Sequence, residues 1–196
     1  MPETRSPANI DAVSPFPGYP VGSVVGGDTA LVTSDGDASY VEVSHDGIFV
    51  HAPTAHTFTF ETAGPVPAGA VVTVEADWFT DNAGAFVLYV VHPVFGSTSI
   101  ASFVTPGDVD THAYGDVETR TILPVFTEGG AIFEAGVEWG VYALQNHLFV
   151  PTSARITRLT LLIESGEPPL RQRNRDTIRA RNLGSRQRGI RQRGYL

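Results

Sequence analysis

Val71-Val72-Thr73-Val74-Glu75-Ala76-Asp77-Trp78 decides the fold. On an extended chain Val72, Val74, Ala76 and Trp78 share one side, and Thr73, Glu75 and Asp77 share the other. That period of two marks a half-buried β-strand. Toward the N-terminus it recurs in residues 39–44, where Val41 and Val43 alternate with Tyr40 and Glu42. It recurs again in 56–61, where Phe58 and Phe60 oppose Thr57, Thr59 and Glu61. Toward the C-terminus, 85–92 is apolar on both faces, as a central strand covered on both sides requires. Residues 99–104, 117–123 and 139–150 continue the series. Residues 155–164 close it, with Leu159, Leu161 and Ile163 inward and Arg158, Thr160 and Glu164 outward. Turn chemistry separates these runs: Ser34-Asp35-Gly36-Asp37, Asp46-Gly47, Gly64-Pro65, Pro106-Gly107-Asp108 and Glu128-Gly129-Gly130. No stretch before the C-terminal tail sustains a 3.6-residue period between caps. The expectation is an all-β protein, an antiparallel β-sandwich or jelly roll.

Around that domain the composition changes. Pro2, Pro7, Pro15, Pro17 and Pro20 exclude helix from the first residues, so 1–27 reads as an extended N-terminal arm, 28–165 as the sandwich and 166–196 as a basic C-terminal arm. Up to Leu170 there are 4 Arg against 20 Asp and Glu, a net −16; beyond it 9 Arg face the single Asp176, a net +8. The overall −8 therefore averages two parts with opposite electrostatic roles. With few large apolar residues the arm cannot bury enough surface to fold alone. The chain has 196 residues, enough for one self-sufficient core, and no Cys, which removes disulfides, thiolate metal sites and cysteine nucleophiles together. Its longest apolar run, Ala85 to Val91, is too short to span a bilayer, and no apolar leader opens the chain, so neither membrane insertion nor Sec export is expected.

Catalytic signatures are sparse. G-x-S-x-G, H-E-x-x-H, Walker A and G-x-G-x-x-G are all missing. Of the six histidines His45, His51, His56, His92, His112 and His147, none sits two residues from another as ligands on one strand face would, although His51 and His56 could meet across a hairpin. Rim positions on strands account for them more simply. Asp35-Gly36-Asp37 lacks the remainder of a calcium loop and reads as a tight turn; Asp77, Asp81 and Asn82 form a second such group. Glu75, Asp77, Glu134 and Glu138 could pair for glycoside hydrolysis, a chemistry that their spatial separation decides. Trp78, Phe79, Tyr89, Tyr114, Trp139 and Tyr142 could stack on sugars if exposed, although Trp78 shares the inward face of its strand. The expectation is a protein without catalytic residues, cofactor or metal.

The arm holds the candidate binding residues: Arg171, Arg173, Arg175, Arg179, Arg181, Arg186, Arg188, Arg191, Arg193 and Tyr195. Nine guanidinium groups could track a phosphate backbone, but a −16 body repels that polyanion and no aromatics interleave the arginines. Pairing of guanidinium forks with carboxylates on a neighbouring subunit ranks first, a freely solvated tail second and nucleic acid third.

The run Thr29-Ala30-Leu31-Val32-Thr33-Ser34-Asp35-Gly36-Asp37-Ala38-Ser39-Tyr40-Val41-Glu42-Val43 resembles the opening of jelly-roll domains in minor tail proteins of phages that infect actinobacteria. The closing run Ala154-Arg155-Ile156-Thr157-Arg158-Leu159-Thr160-Leu161-Leu162-Ile163-Glu164 resembles their last strand. Pro168-Pro169-Leu170-Arg171-Gln172-Arg173, Ser185-Arg186-Gln187-Arg188 and Gly194-Tyr195-Leu196 are similar to their Arg-rich tails. The resemblance covers both ends of the domain and the tail; from about residue 65 to 150 only the pattern matches. It implies a virion structural protein of the tail or its tip, made in the host cytoplasm, whose partners are other virion proteins and copies of itself. A head decoration protein would look much the same, and a carbohydrate-binding module for host cell-wall sugars is the rival from another class.

Overall fold

Strands appear wherever the period of two was read, and also where it was not. The structure is a computed structural model that describes residues 3–11, 18–60, 66, 69–94, 96–107, 110–124, 132–133, 137–145 and 149–165. Along them lie β1 (Glu3–Arg5), β2 (Pro7–Asp11), β3 (Ser23–Val25), β4 (Tyr40–His45), β5 (Ala55–Phe60), β6 (Val71–Phe79), β7 (Ala85–His92), β8 (Gly96–Val104), β9 (Glu118–Thr121), β10 (Glu138–Ala143) and β11 (Thr152–Glu164). One sheet has the order β3-β4-β11-β6-β9 with β1 also on β11; the other has β2-β5-β10-β7-β8. All the strand pairings are antiparallel. From β4 to β11 the chain alternates between sheets so that β4-β11-β6-β9 faces β5-β10-β7-β8, which is jelly-roll order. In that path the β4–β5, β6–β7, β8–β9 and β10–β11 loops all leave from the same end.

The two sheets close on an apolar core. Trp78, Val74, Val41 and Leu159 from one layer meet Phe58, Phe86, Leu88, Trp139 and Val141 from the other, all at 3% exposure or less. Trp78 stands edge-on to Phe86 at 5.4 Å, and Phe86 stacks on Phe103 at 4.7 Å. β11 is the spine of its sheet. On one side it runs along β6; on the other it takes β4 at 152–156, then the Val32–Arg158 bridge, then β1 at 161–163. A bulge between Ile156 and Arg158 shifts its phase, so Ala154 and Ile156 face the core before it and Leu159, Leu161 and Ile163 after it.

Residues 1–27, expected as an arm, supply three of these strands. β1 pairs with β11 and β2 with β5, so the two join opposite sheets across Ser6 alone. The prolines exclude helix but not an edge strand, and Pro7 opens one, where a missing N–H breaks no interior ladder. The strand expected over 139–150 ends at Ala143: Leu144 makes a last bond to the Ala85 carbonyl, and Gln145 then turns to the β4–β5 loop. The chain divides into two compact units, Met1–Ser165 and Gly166–Leu196. The second, with every arginine of the expected arm and Tyr195, lies outside the described residues.

Candidate interaction surface

The loop end is held by short polar contacts around Asp46-Gly47. His45, the last residue of β4, is buried; its Nδ1 accepts the Gly47 N–H at 2.9 Å, so Nε2 carries the proton and donates to the His51 carbonyl at 3.1 Å. One Asp46 oxygen meets the His51 ring, and the other accepts the Ile48 N–H at 2.9 Å. Those contacts, His51 first, hold the Asp46 carboxyl below its ordinary range. The His51 N–H returns to the Ile48 carbonyl at 2.8 Å and closes the loop. The Gly47 carbonyl then takes the Phe149 N–H at 3.0 Å and the Gln145 side-chain amide at 2.7 Å, which ties the β10–β11 loop to the β4–β5 loop. Gly47 has φ 82, and a Cβ there would stand 2.7 Å from the Val150 backbone.

Two surfaces result. Beside the tie is a cleft of about 340 Å³ lined by Ser44, His45, Asp46, Asp81, Asn82, Pro151, Thr152 and Ser153. At the tips, Phe49, Val50 and Phe149 are 81%, 82% and 82% exposed. None of these three had been singled out in the sequence. The signal was present as Ile48-Phe49-Val50, three apolar residues directly after an Asp-Gly turn. Phe149 was concealed by reading strand through to 150.

Most of the remaining candidates among the described residues make contacts within the fold. His112 lies flat on Trp78 at 4.2 Å, with Nδ1 on the Trp78 carbonyl at 2.9 Å and Nε2 on Glu118 at 3.0 Å. It anchors the β8–β9 loop to β6 through paired backbone bonds with Thr80. His56 is buried in β5 while His51 is exposed on Asp46, so the hairpin gives them separate environments. His92 ends β7, where its Nδ1 accepts the Val94 N–H. His147 and Glu134 lie outside the described residues. Asp35 accepts the Thr33 hydroxyl at 2.6 Å and Asp37 takes Arg155 at 3.2 Å, so the two carboxylates of that turn are used separately. Asp77 is buried and accepts the Gly115 N–H at 2.9 Å, while Asp81 and Asn82 line the cleft. Glu75 and Asp77 alternate with core residues of β6, and Glu138 with those of β10 in the opposite sheet. Glu138 therefore lies on the opposite outer face from Glu75 and Asp77, farther from them than the roughly 10 Å between sheets and beyond the roughly 5–9.5 Å of a glycosidase pair. Glu75 and Asp77 share one outer face two residues apart, and Asp77 is buried on the Gly115 N–H. Among the described residues no three His, Asp or Glu side chains converge as a metal site requires.

Both tryptophans are core, and Phe79 lies half-buried under the Arg155 guanidinium. Tyr89 is buried on the outer face of its sheet, lies over Gly140 and donates to the His56 carbonyl at 3.3 Å. Burial, with Glu138 and Tyr142 adding, pushes its hydroxyl far above the ordinary phenol value. Tyr142 sits half-buried beside it with its hydroxyl 3.2 Å from Ser99. Tyr114 covers Gly36. No known protein family matches this chain, and no curated protein matches it in sequence.

Proposed function

We propose that this chain is a structural subunit of a phage particle, in the tail or tail tip, that joins neighbouring copies and other virion proteins through its C-terminal arm. The charge division carries the reading: a −16 body and a +8 arm on one chain attract between copies while like parts repel. The resemblance of both domain ends and the Arg-rich tail to minor tail proteins supports it. The jelly roll supplies a rigid body, and because β1 and β2 are already paired within their own sheets, on β11 and β5, the arm available for exchange is the C-terminal one. Truncation after Pro169 tests this. Incorporation into particles and self-association should be lost while circular dichroism and thermal unfolding of the sandwich stay unchanged. Normal assembly of the truncated chain at ordinary salt refutes it.

One observation favours a second reading, recognition of host cell-wall carbohydrate. The loop-end cleft offers the carboxylates of Asp46 and Asp81, the Asn82 amide and the hydroxyls of Ser44, Thr152 and Ser153. A glycan array probed with the full chain decides it, and silence against actinobacterial wall polysaccharides ends it.

A further inference from the structure

Phe49, Val50 and Phe149 are almost wholly out of the packing, with exposures of 81%, 82% and 82%, and Ile48 beside them is 42% exposed. Their backbone is nevertheless tightly determined. His45, Asp46 and His51 pin the first loop, and the Gly47 carbonyl pins the second. Phe149 is held at φ 63, a conformation that a bulky side chain adopts only when its surroundings impose it. A phenylalanine carries about 150–250 Å² of contact area, so two of them with Val50 expose roughly 400 Å² of apolar surface. That equals the largest patch of a typical monomer and is about half of what one partner contributes to a stable rigid interface. It suits an extended segment better than a second globular face.

The surroundings define that segment's chemistry. Among the described residues, the four loops at this end contain Asp46, Asp81, Asp110 and Asp116 and no arginine, and the chain has no lysine at all. An anionic bilayer or a nucleic acid would be repelled. A segment that mixes arginines with isolated aliphatic residues would be drawn in, and the chain encodes one: Ile178-Arg179-Ala180-Arg181-Asn182-Leu183, then Ile190-Arg191.

We propose that the loop end of one copy is the receptor for the arginine-rich arm, residues 171–193, of a neighbouring copy. Phe49, Val50 and Phe149 receive the aliphatic side chains, and Asp46 and Asp81 at the cleft receive guanidinium groups. This rests on the arm-assembly reading and names the surface the arm meets.

The test uses the full chain. Self-association is measured by sedimentation at two salt concentrations for the native chain, Phe49→Ser/Phe149→Ser, Asp46→Asn/Asp81→Asn and the truncation after Pro169. A photo-crosslinking amino acid placed at position 49 reports what lies against it. The serine pair should weaken association about tenfold or more at both salts, as loss of aromatic anchors does. The asparagine pair should flatten the salt dependence. Cross-links should fall within 171–193 of another chain. Thermal unfolding of each variant confirms that it is folded, which the exposure of both phenylalanines makes readily attainable. If association depends on the arm but not on Phe49 and Phe149, or if the cross-links land elsewhere, the receptor assignment is overturned while arm assembly stands. If the truncated chain associates as the native one does, arm assembly falls, and the receptor with it.

Discussion

Gly47→Ala is the sharpest perturbation of the loop end. At φ 82 an alanine is strained by about 1 kcal/mol, the penalty that glycine avoids. Its Cβ would also stand 2.7 Å from the nitrogen, carbon and oxygen of Val150, which are backbone atoms with no rotamer to retreat into. The β10–β11 loop must therefore withdraw. It loses the Phe149 N–H and Gln145 bonds to the Gly47 carbonyl, each worth about 1 kcal/mol net. Together these give about 3 kcal/mol, or roughly 6–12 °C in Tm for a domain of this size. Gly69→Ala is the internal control. Gly69 has a similar φ of 77 but nothing within 4 Å of a Cβ, so only the strain of about 1 kcal/mol remains. Urea unfolding of both variants, with limited proteolysis of the loops, separates the two effects. If Gly47→Ala is no more destabilising than Gly69→Ala, the loops are not tied through Gly47 and the apolar tips are not pre-organised.

Other positions give clear expectations. Gly140→Ala puts a Cβ 2.2 Å from the Tyr89 hydroxyl and 2.4 Å from the His56 carbonyl, and should lower stability by about 2–4 kcal/mol in chemical unfolding from overpacking plus the lost Tyr89 bond; a near-neutral value contradicts that geometry. His112→Ala removes the ring on Trp78 and the bonds to the Trp78 carbonyl and Glu118, so about 2–3 kcal/mol should go, with faster hydrogen exchange in the β8–β9 loop. Because folding lowers the Asp46 pKa from 3.8, its contribution is present above that value and disappears as pH falls through the lower folded one. Asp46→Asn should accordingly be destabilising at about pH 6 and approach the native chain as the pH falls well below 3.8; a difference that persists in strong acid removes the ionised carboxylate from the explanation.

Legibility in the sequence followed how directly a local pattern is coupled to the core. β7 was readable to the residue because turns bound a run that must be covered on both faces. β6 and the second half of β11 were readable because one face is wholly apolar. The bulge at Ile156 was not, since it shifts the phase in a strand whose first half carries only Ala154 and Ile156 as inward signals. β1 and β2 were obscured by prolines, which rule out helix but are silent about an edge strand whose partners, Ile163 and Phe60, lie far along the chain. At the loop end the turn chemistry of Asp46-Gly47 was plain, yet exposure of Phe49 and Phe149 depends on which loops the jelly roll gathers at one pole. No three-residue pattern encodes that.

β11 has a consequence for how the chain reaches its folded state. It is the central strand of its sheet and, among the described strands, the last to be synthesised. Glu3 finds its partner in Ile163 and Val41 in Ile156, so every ladder on that side spans most of the domain. Loop closure of that length must precede the contacts that reward it, which places the chain among slow, high-contact-order folders, in the millisecond-to-second range. Until β11 arrives, β4 and β6 have open edges where the spine will lie. During that interval the nascent domain is open to strand pairing with other copies, and the net −16 charge of the first 170 residues keeps unfinished chains apart.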